Sequence, residues 1–333
     1  MEQRKSASRH TWRSGWRRVA LAVLVAAAMG LGVYALLESI RPVSGLVSFS
    51  FLLILPAAIC ALVSYIADPW GELPLRRYLM VPVWILLAAT ALSIVVLREG
   101  TVCVLMVSPL WLLSGVCGAA LTWRLRDKAV DGTVYCAALL VLPLLAIQIE
   151  PLFPVPAATA TVVRSAIIAA PPERIWPLLR GIPDVRPEEG RWNFSQDVVG
   201  IPRPISARLL GEGVGAVRLA NWGEQVRFDE RITEWRPGER IGWSFHFDDI
   251  AGWKFTDRHL MPNSSYFRVT TGGYTLRRLP DGRSKLTIAT HYWMRTPVNG
   301  YASLWGEVFL GDLENNLLAL VRGRAEEQAK RAN

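Results

Sequence analysis

The residue with the sharpest chemical meaning in this 333-residue chain is Glu230. It sits in "QVRFDERITEW", residues 225–235, where polar and apolar residues alternate as in a strand with one buried face. Val226, Phe228 and Ile232 share that face, and Glu230 lies among them. A carboxylate on an apolar face costs several kcal/mol unless it is paired or its pKa rises until it is neutral. Two roles meet the condition: a pocket acid or base, or half of an ion pair with Arg218, Arg227 or Arg268. Asp312 and Asn316, four apart in a helical stretch, continue the line of Val308 and Leu320. That line turns them toward a cavity, where they would fix a polar ligand head, or leaves them on a solvent-facing flank. With the Tyr292 phenol, Glu230 and Asp312 form the set of acid–base candidates.

Other chemistries find little support. His246 and His291 fall on faces opposite the apolar ones, His259 lies in a loop, and no pair has metal-ligand spacing. There is no nucleophile elbow. "GEGVG" at 211–215 precedes a strand where a dinucleotide loop requires a helix, so it reads as a turn. The four cysteines all lie in long apolar segments, which leaves no thiol for a disulfide, a zinc site or a nucleophile elsewhere. Neither a metal nor a cofactor is expected.

The elements that would position these residues are mostly strands. Period-two patterning predicts strands at 205–210, 215–222, 225–235, 239–247, 266–278 and 284–295. Gly-rich and Pro-Gly or Asp-Gly breaks separate them, as at Pro237-Gly238 and Asp281-Gly282. Ile241, Trp243, Phe245 and Phe247 share one face, as do Leu286, Ile288, Tyr292 and Met294. Upstream, "TATVVRSAIIAA" is a further β-rich run, and "PPERIWPLLRGI" starts as a helix that Pro177 kinks or shortens. Residues 301–328 form a terminal amphipathic helix with Trp305, Phe309, Leu313, Leu317 and Val321 down one face. The sum is an α+β fold in which a curved antiparallel sheet grips a long C-terminal helix. Its expected ligand-binding set is Phe228, Glu230, Trp243, Phe245, Phe247, Ile288, Tyr292, Trp305, Phe309, Asp312, Leu313 and Asn316. The loop 248–265 is long for a hairpin connection, and its Trp253 and Phe255 would cap the cavity, enter a membrane surface or pack on the sheet.

The first half of the chain is of another kind. Five apolar segments, 19–37, 46–67, 78–97, 101–123 and 133–149, are long enough to cross a bilayer. Pro143 and Gln148 interrupt the fifth. Basic residues concentrate in the tail and in the second and fourth loops, with six, two and three there against Arg41 and Arg98 in the other two. This places the N-terminus in the cytoplasm and, with five crossings, the C-terminal domain outside, as in a bacterial inner-membrane protein. Residues 1–18 are then a basic cytoplasmic tail, 19–149 a membrane domain, 150–162 a proline-stiffened linker, 163–328 the soluble domain and 329–333 a short tail. The formal charge of +9 does not signal a nucleic-acid partner, because residues 159–333 carry 24 Lys and Arg against 20 Asp and Glu. The membrane is the expected partner; no protein partner is indicated.

Taken in order, "APPERIWPLL", "GEGVGAVRLANWGE", "ERITEWRPGERIGW", "YTLRRLPDGRSKLTIATHY" and "LLALVRGRAEEQ" resemble the SRPBCC or START-like superfamily, most closely its polyketide cyclase/dehydrase branch. The resemblance runs from about 163 to 328 and does not extend to the membrane half. It implies a helix-grip fold holding a lipid or another apolar small molecule between sheet and helix. Two alternatives remain open: a cyclase- or dehydrase-like enzyme using Glu230, Tyr292 or Asp312, and a protein-interaction module with a filled core.

Overall fold

The computed structural model describes residues 2–40, 47–68, 70–93, 101–126, 132–248, 253 and 261–331. The chain divides into two compact units, one built from 1–99 with 103–155 and the other from 100–102 with 156–333.

The first unit is helical. α1 (Glu2–Ile40) runs without a break through the basic stretch expected as a tail. A π-helical turn, Ser50–Ile54, leads into α2 (Leu55–Ala67), followed by α3 (Leu75–Leu92), α4 (Thr101–Leu125) and α5 (Gly132–Ile149). Five helical segments are long and apolar enough to cross a membrane. Ser50–Ala67 is the hub, two thirds buried where the other four are mostly uncovered. Gly118 lets α4 meet it backbone to backbone, since a Cβ there would lie 2.1 Å from the Ala57 carbonyl oxygen. The hub's two ends are held by opposite charges. At its start, the Glu150 carboxylate accepts from the Phe49 and Ser50 amides at 2.6 and 3.1 Å. At its end, the Arg126 guanidinium donates to the Tyr65 carbonyl at 2.6 Å and to that of Asp68. Each charge complements the helix dipole at its end. Because Arg126 precedes α5 and Glu150 follows it, α5 runs the length of the hub antiparallel to it despite Pro143.

The second unit is one sheet and one long helix. Its strands are β1 (Ala158–Ile168), β2 (Pro204–Leu210), β3 (Val217–Trp222), β4 (Val226–Arg236), β5 (Arg240–His246), β6 (Phe267–Arg278) and β7 (Ser284–Met294). They lie antiparallel in the order β1-β7-β6-β5-β4-β3-β2, so the first strand closes against the last. β1 takes up residues 158–162, which the sequence reading assigned to the linker. Register shifts in β2, β4 and β6 bend the sheet. Into its concave face pack α6 (Pro172–Arg180) and α8 (Asn299–Arg331); the short α7 (Phe194–Asp197) sits between, where no element was predicted. This is the helix-grip arrangement. Its core gathers Ile168, Ile175, Leu179, Ile232, Ile241, Leu286, Leu318 and Val321, each nearly free of solvent contact. At roughly 1.5–3 kcal/mol per buried large side chain, that cluster is enough to hold sheet and helix together.

Candidate functional site: a cavity between sheet and helix

Between the sheet and α8 lies an open-mouthed cavity of about 120 Å³. β2 and β3 leave it room by placing Ser206, Ala207 and Ala220 on its wall, with Ala207 directly across from Ala220. Beside them stands a run of rings. Phe228 lies 6.1 Å from Trp222 and 5.8 Å from Phe245, while Phe245 and Phe247 stack at 6.0 Å and 11°. Trp253 of the long loop meets Phe247 edge-on at 5.7 Å and lines the cavity; Phe255 lies outside the described residues. Ring pairs at these distances add their own attraction to the area they bury.

Trp243 occupies the centre of the wall because β6 carries no side chain opposite it. A Cβ on Gly272 would come within 2.8 Å of the indole. The Arg218 guanidinium lies over the ring, 4.4 Å from its centroid, and Tyr274 packs 5.3 Å away. Burial pushes the Tyr274 phenol up to about 12, so it stays protonated.

Glu230 is buried, as its neighbours predicted, and the ion-pair role is the one it takes. Arg218, its cross-strand partner, donates Nε–H to the carboxylate and a second N–H to the Leu179 carbonyl. Both side chains are at least 92% buried. A guanidinium and a carboxylate this enclosed, each hydrogen-bonded, are fixed structure and leave no free base.

The remaining expected site residues divide. Phe228, Trp243, Phe245, Phe247, Ile288 and Leu313 line the cavity alongside Glu230. Tyr292 faces inward but packs beyond the cavity's end in a small cluster with Val162 and Met294. Its hydroxyl donates to the Ser303 carbonyl at 3.4 Å, and Gly306 makes space for the ring. Asp312 accepts from the Ser195 amide and hydroxyl at 3.0 and 2.7 Å, and Asn316 accepts from the Arg191 amide at 2.8 Å. Both tie α8 to the 190–203 segment and neither lines the cavity, nor do Trp305 and Phe309, which stack on each other at 5.3 Å. The expected acid–base set of Glu230, Tyr292 and Asp312 is therefore not assembled at one site.

The cause is a matter of helical phase. An i, i+4 walk such as 305, 309, 313, 317, 321 drifts about 40° per step, so it crosses from one side of the helix to the next. Leu310, Leu313, Leu317 and Leu320 mark the side facing the cavity. Trp305, Phe309, Asp312 and Asn316 form their own stripe roughly 100° away.

Correcting the phase brings in a residue that the sequence reading passed over. Glu314 lies within the cavity-facing leucine stripe, is 2% exposed, and has no hydrogen-bond partner on either carboxylate oxygen among the described residues. Burial pushes its carboxyl up to about 8, with Thr290 and Arg164 pulling only weakly the other way. The signal was legible: a lone acid between Leu310, Leu313, Leu317 and Leu318.

No protein-family model and no curated protein matches the chain. Solved structures do resemble it. One is the Zhui aromatase/cyclase from Streptomyces sp. R1128, at 17% identity and TM-score 0.34, covering 53% of this chain and 99% of that one. Another is norcoclaurine synthase from Thalictrum flavum, a point mutant in complex with a transition state analogue, at 11% identity and TM-score 0.32, covering 52% and 99%.

Proposed function

We propose that this protein is a membrane-anchored START-like module that binds a lipid or another apolar small molecule in the cavity between its sheet and α8. The observation that carries the reading is the cavity itself, open at its mouth and walled by Phe228, Trp243, Phe245 and Phe247. A protein-interaction module with a filled core would have closed this space. The enzyme reading loses support with its candidate residues: Glu230 is committed to Arg218, and Asp312 and Tyr292 lie elsewhere.

The five long apolar helices support the anchor. The charge bias of the loops puts the N-terminus in the cytoplasm. That α5 runs the length of the hub supports a fifth crossing, and with it a C-terminal unit on the extracytoplasmic face, in a bacterial setting the periplasmic side of the inner membrane. Tethering there raises the effective concentration of a ligand drawn from the bilayer.

The test is mass spectrometry of small molecules extracted from the purified full chain, beside an Ala220→Phe variant whose ring fills the cavity. A species present near one equivalent in the wild type and depleted in the variant supports the reading. Equal lipid content in both, with the variant folded, refutes it.

A further inference from the structure

We propose that Glu314 is the polar contact by which the cavity selects its ligand, an apolar and uncharged molecule carrying one hydrogen-bond-accepting oxygen such as a carbonyl. The inference rests on the cavity-binding reading and adds the ligand's chemistry to it.

The cavity offers a ligand few polar groups. Its wall is apolar apart from a few groups, and most of those are already used. Arg218 and Glu230 satisfy each other, with Arg218 also donating to Leu179. Glu314 is the exception among the wall's charged side chains: among the described residues both oxygens are shielded from water and neither has a hydrogen-bond partner, and the Trp243 indole N–H is the wall's other unpartnered polar group. Leaving a buried polar group unsatisfied costs stability, because its lost hydration is not replaced. A leucine would cost nothing at a position flanked by Leu310, Leu313 and Leu317, so the acid is unexplained by packing alone.

Its surroundings fix its protonation. The charged and titratable groups around it are Arg164 on β1, Glu307 one helical stretch away on α8, and Tyr274 on β6. Arg164 is already bound to Glu307 at 2.6 Å and cannot serve as a dedicated counter-ion. Burial therefore keeps the carboxyl neutral at pH 7, as its rise to about 8 shows. A neutral carboxyl donates one hydrogen bond, which a carbonyl oxygen accepts. Among the described residues the guanidinium on the cavity wall, Arg218, is already paired with Glu230, so an anionic ligand finds no free cation there, and free fatty acids and phosphates are disfavoured.

The experiment titrates full-length protein in nanodiscs with two probes of matched shape, 2-acetylnaphthalene and 2-isopropylnaphthalene, with empty nanodiscs subtracted. The ratio of their affinities is read in the wild type, Glu314→Leu and Glu314→Gln, at pH 6 and pH 9. The wild type is expected to favour the ketone at pH 6, relative to Glu314→Leu, by roughly ten-fold, the scale of one hydrogen bond. That preference should shrink at pH 9 in the wild type but not in Glu314→Gln, whose amide still donates. A ketone preference unchanged in Glu314→Leu overturns the inference, provided both probes bind and Ala220→Phe excludes them. If neither probe binds the wild type saturably, the cavity reading falls and takes this inference with it.

Discussion

Glu230 on the sheet wall and Glu314 on the helix wall are buried carboxylates of one cavity with opposite surroundings. Glu230 has a guanidinium across the strand pair; Glu314 has leucines and no hydrogen bond. The sheet wall pairs its charges with each other and leaves the Trp243 indole N–H without a partner among the described residues. The helix wall keeps one polar group in reserve. The difference teaches where to look for function in a fold of this kind: a satisfied buried ion pair reports on architecture, whereas an unsatisfied acid in an open cavity reports on what enters.

The contrast can be broken most severely at the sheet. Arg218→Met strands the Glu230 charge and should cost about 3–5 kcal/mol, while Arg218→Met with Glu230→Leu should recover most of it. Urea titrations of the full chain in detergent, followed by the strand signal in circular dichroism, read both.

At the helix wall the effect depends on pH, and its sign is opposite to that of a paired acid. The folded-state pKa of Glu314 is raised to about 8 from an ordinary 4.5. Below pH 4.5 the group is protonated folded or unfolded and contributes no pH dependence. Between 4.5 and 8 the unfolded chain ionises while the folded one holds its proton, so stability falls by up to about 1.4 kcal/mol per pH unit. Glu314→Gln should remove that slope and be more stable than the wild type at pH 8.5, with little difference at pH 4. The same titrations run at five pH values check it.

Two smaller changes sharpen the comparison. Gly272→Ala pushes a Cβ into the Trp243 ring and should cost about 1–3 kcal/mol, shifting tryptophan fluorescence as the indole moves. Asp312→Ala removes the acceptor for Ser195 and should cost about 1 kcal/mol. Because Asp312 lies on the side of α8 away from the cavity, that variant should leave probe binding unchanged, and amide exchange should quicken only in the 190–203 segment.

Much of this was legible in the sequence, and the misses share a cause. Strand periodicity is two, so a side chain's face follows from counting; Phe228, Glu230, Trp243, Phe245 and Phe247 all lie on the predicted wall. Counting does not say how far along a strand the cavity reaches, which is why Tyr292 faces inward yet lies past its end. Helical phase is harder to read because both sides of α8 are covered. One is covered by the sheet, the other by the 190–203 segment, whose four-residue helix is held by side-chain contacts with no periodic signature. Asp312 and Asn316 looked like a polar pair on an apolar face because that second covering was invisible, and Glu314 was overlooked for the same reason.

The most direct test of the cavity as a binding site is calorimetric titration of 2-isopropylnaphthalene into the full chain in nanodiscs, with empty nanodiscs and Ala220→Phe as references. Saturable binding near one equivalent, with a negative heat-capacity change and lost in Ala220→Phe, is what the cavity predicts. Heats that match those of empty nanodiscs, or binding that Ala220→Phe leaves intact, would contradict it.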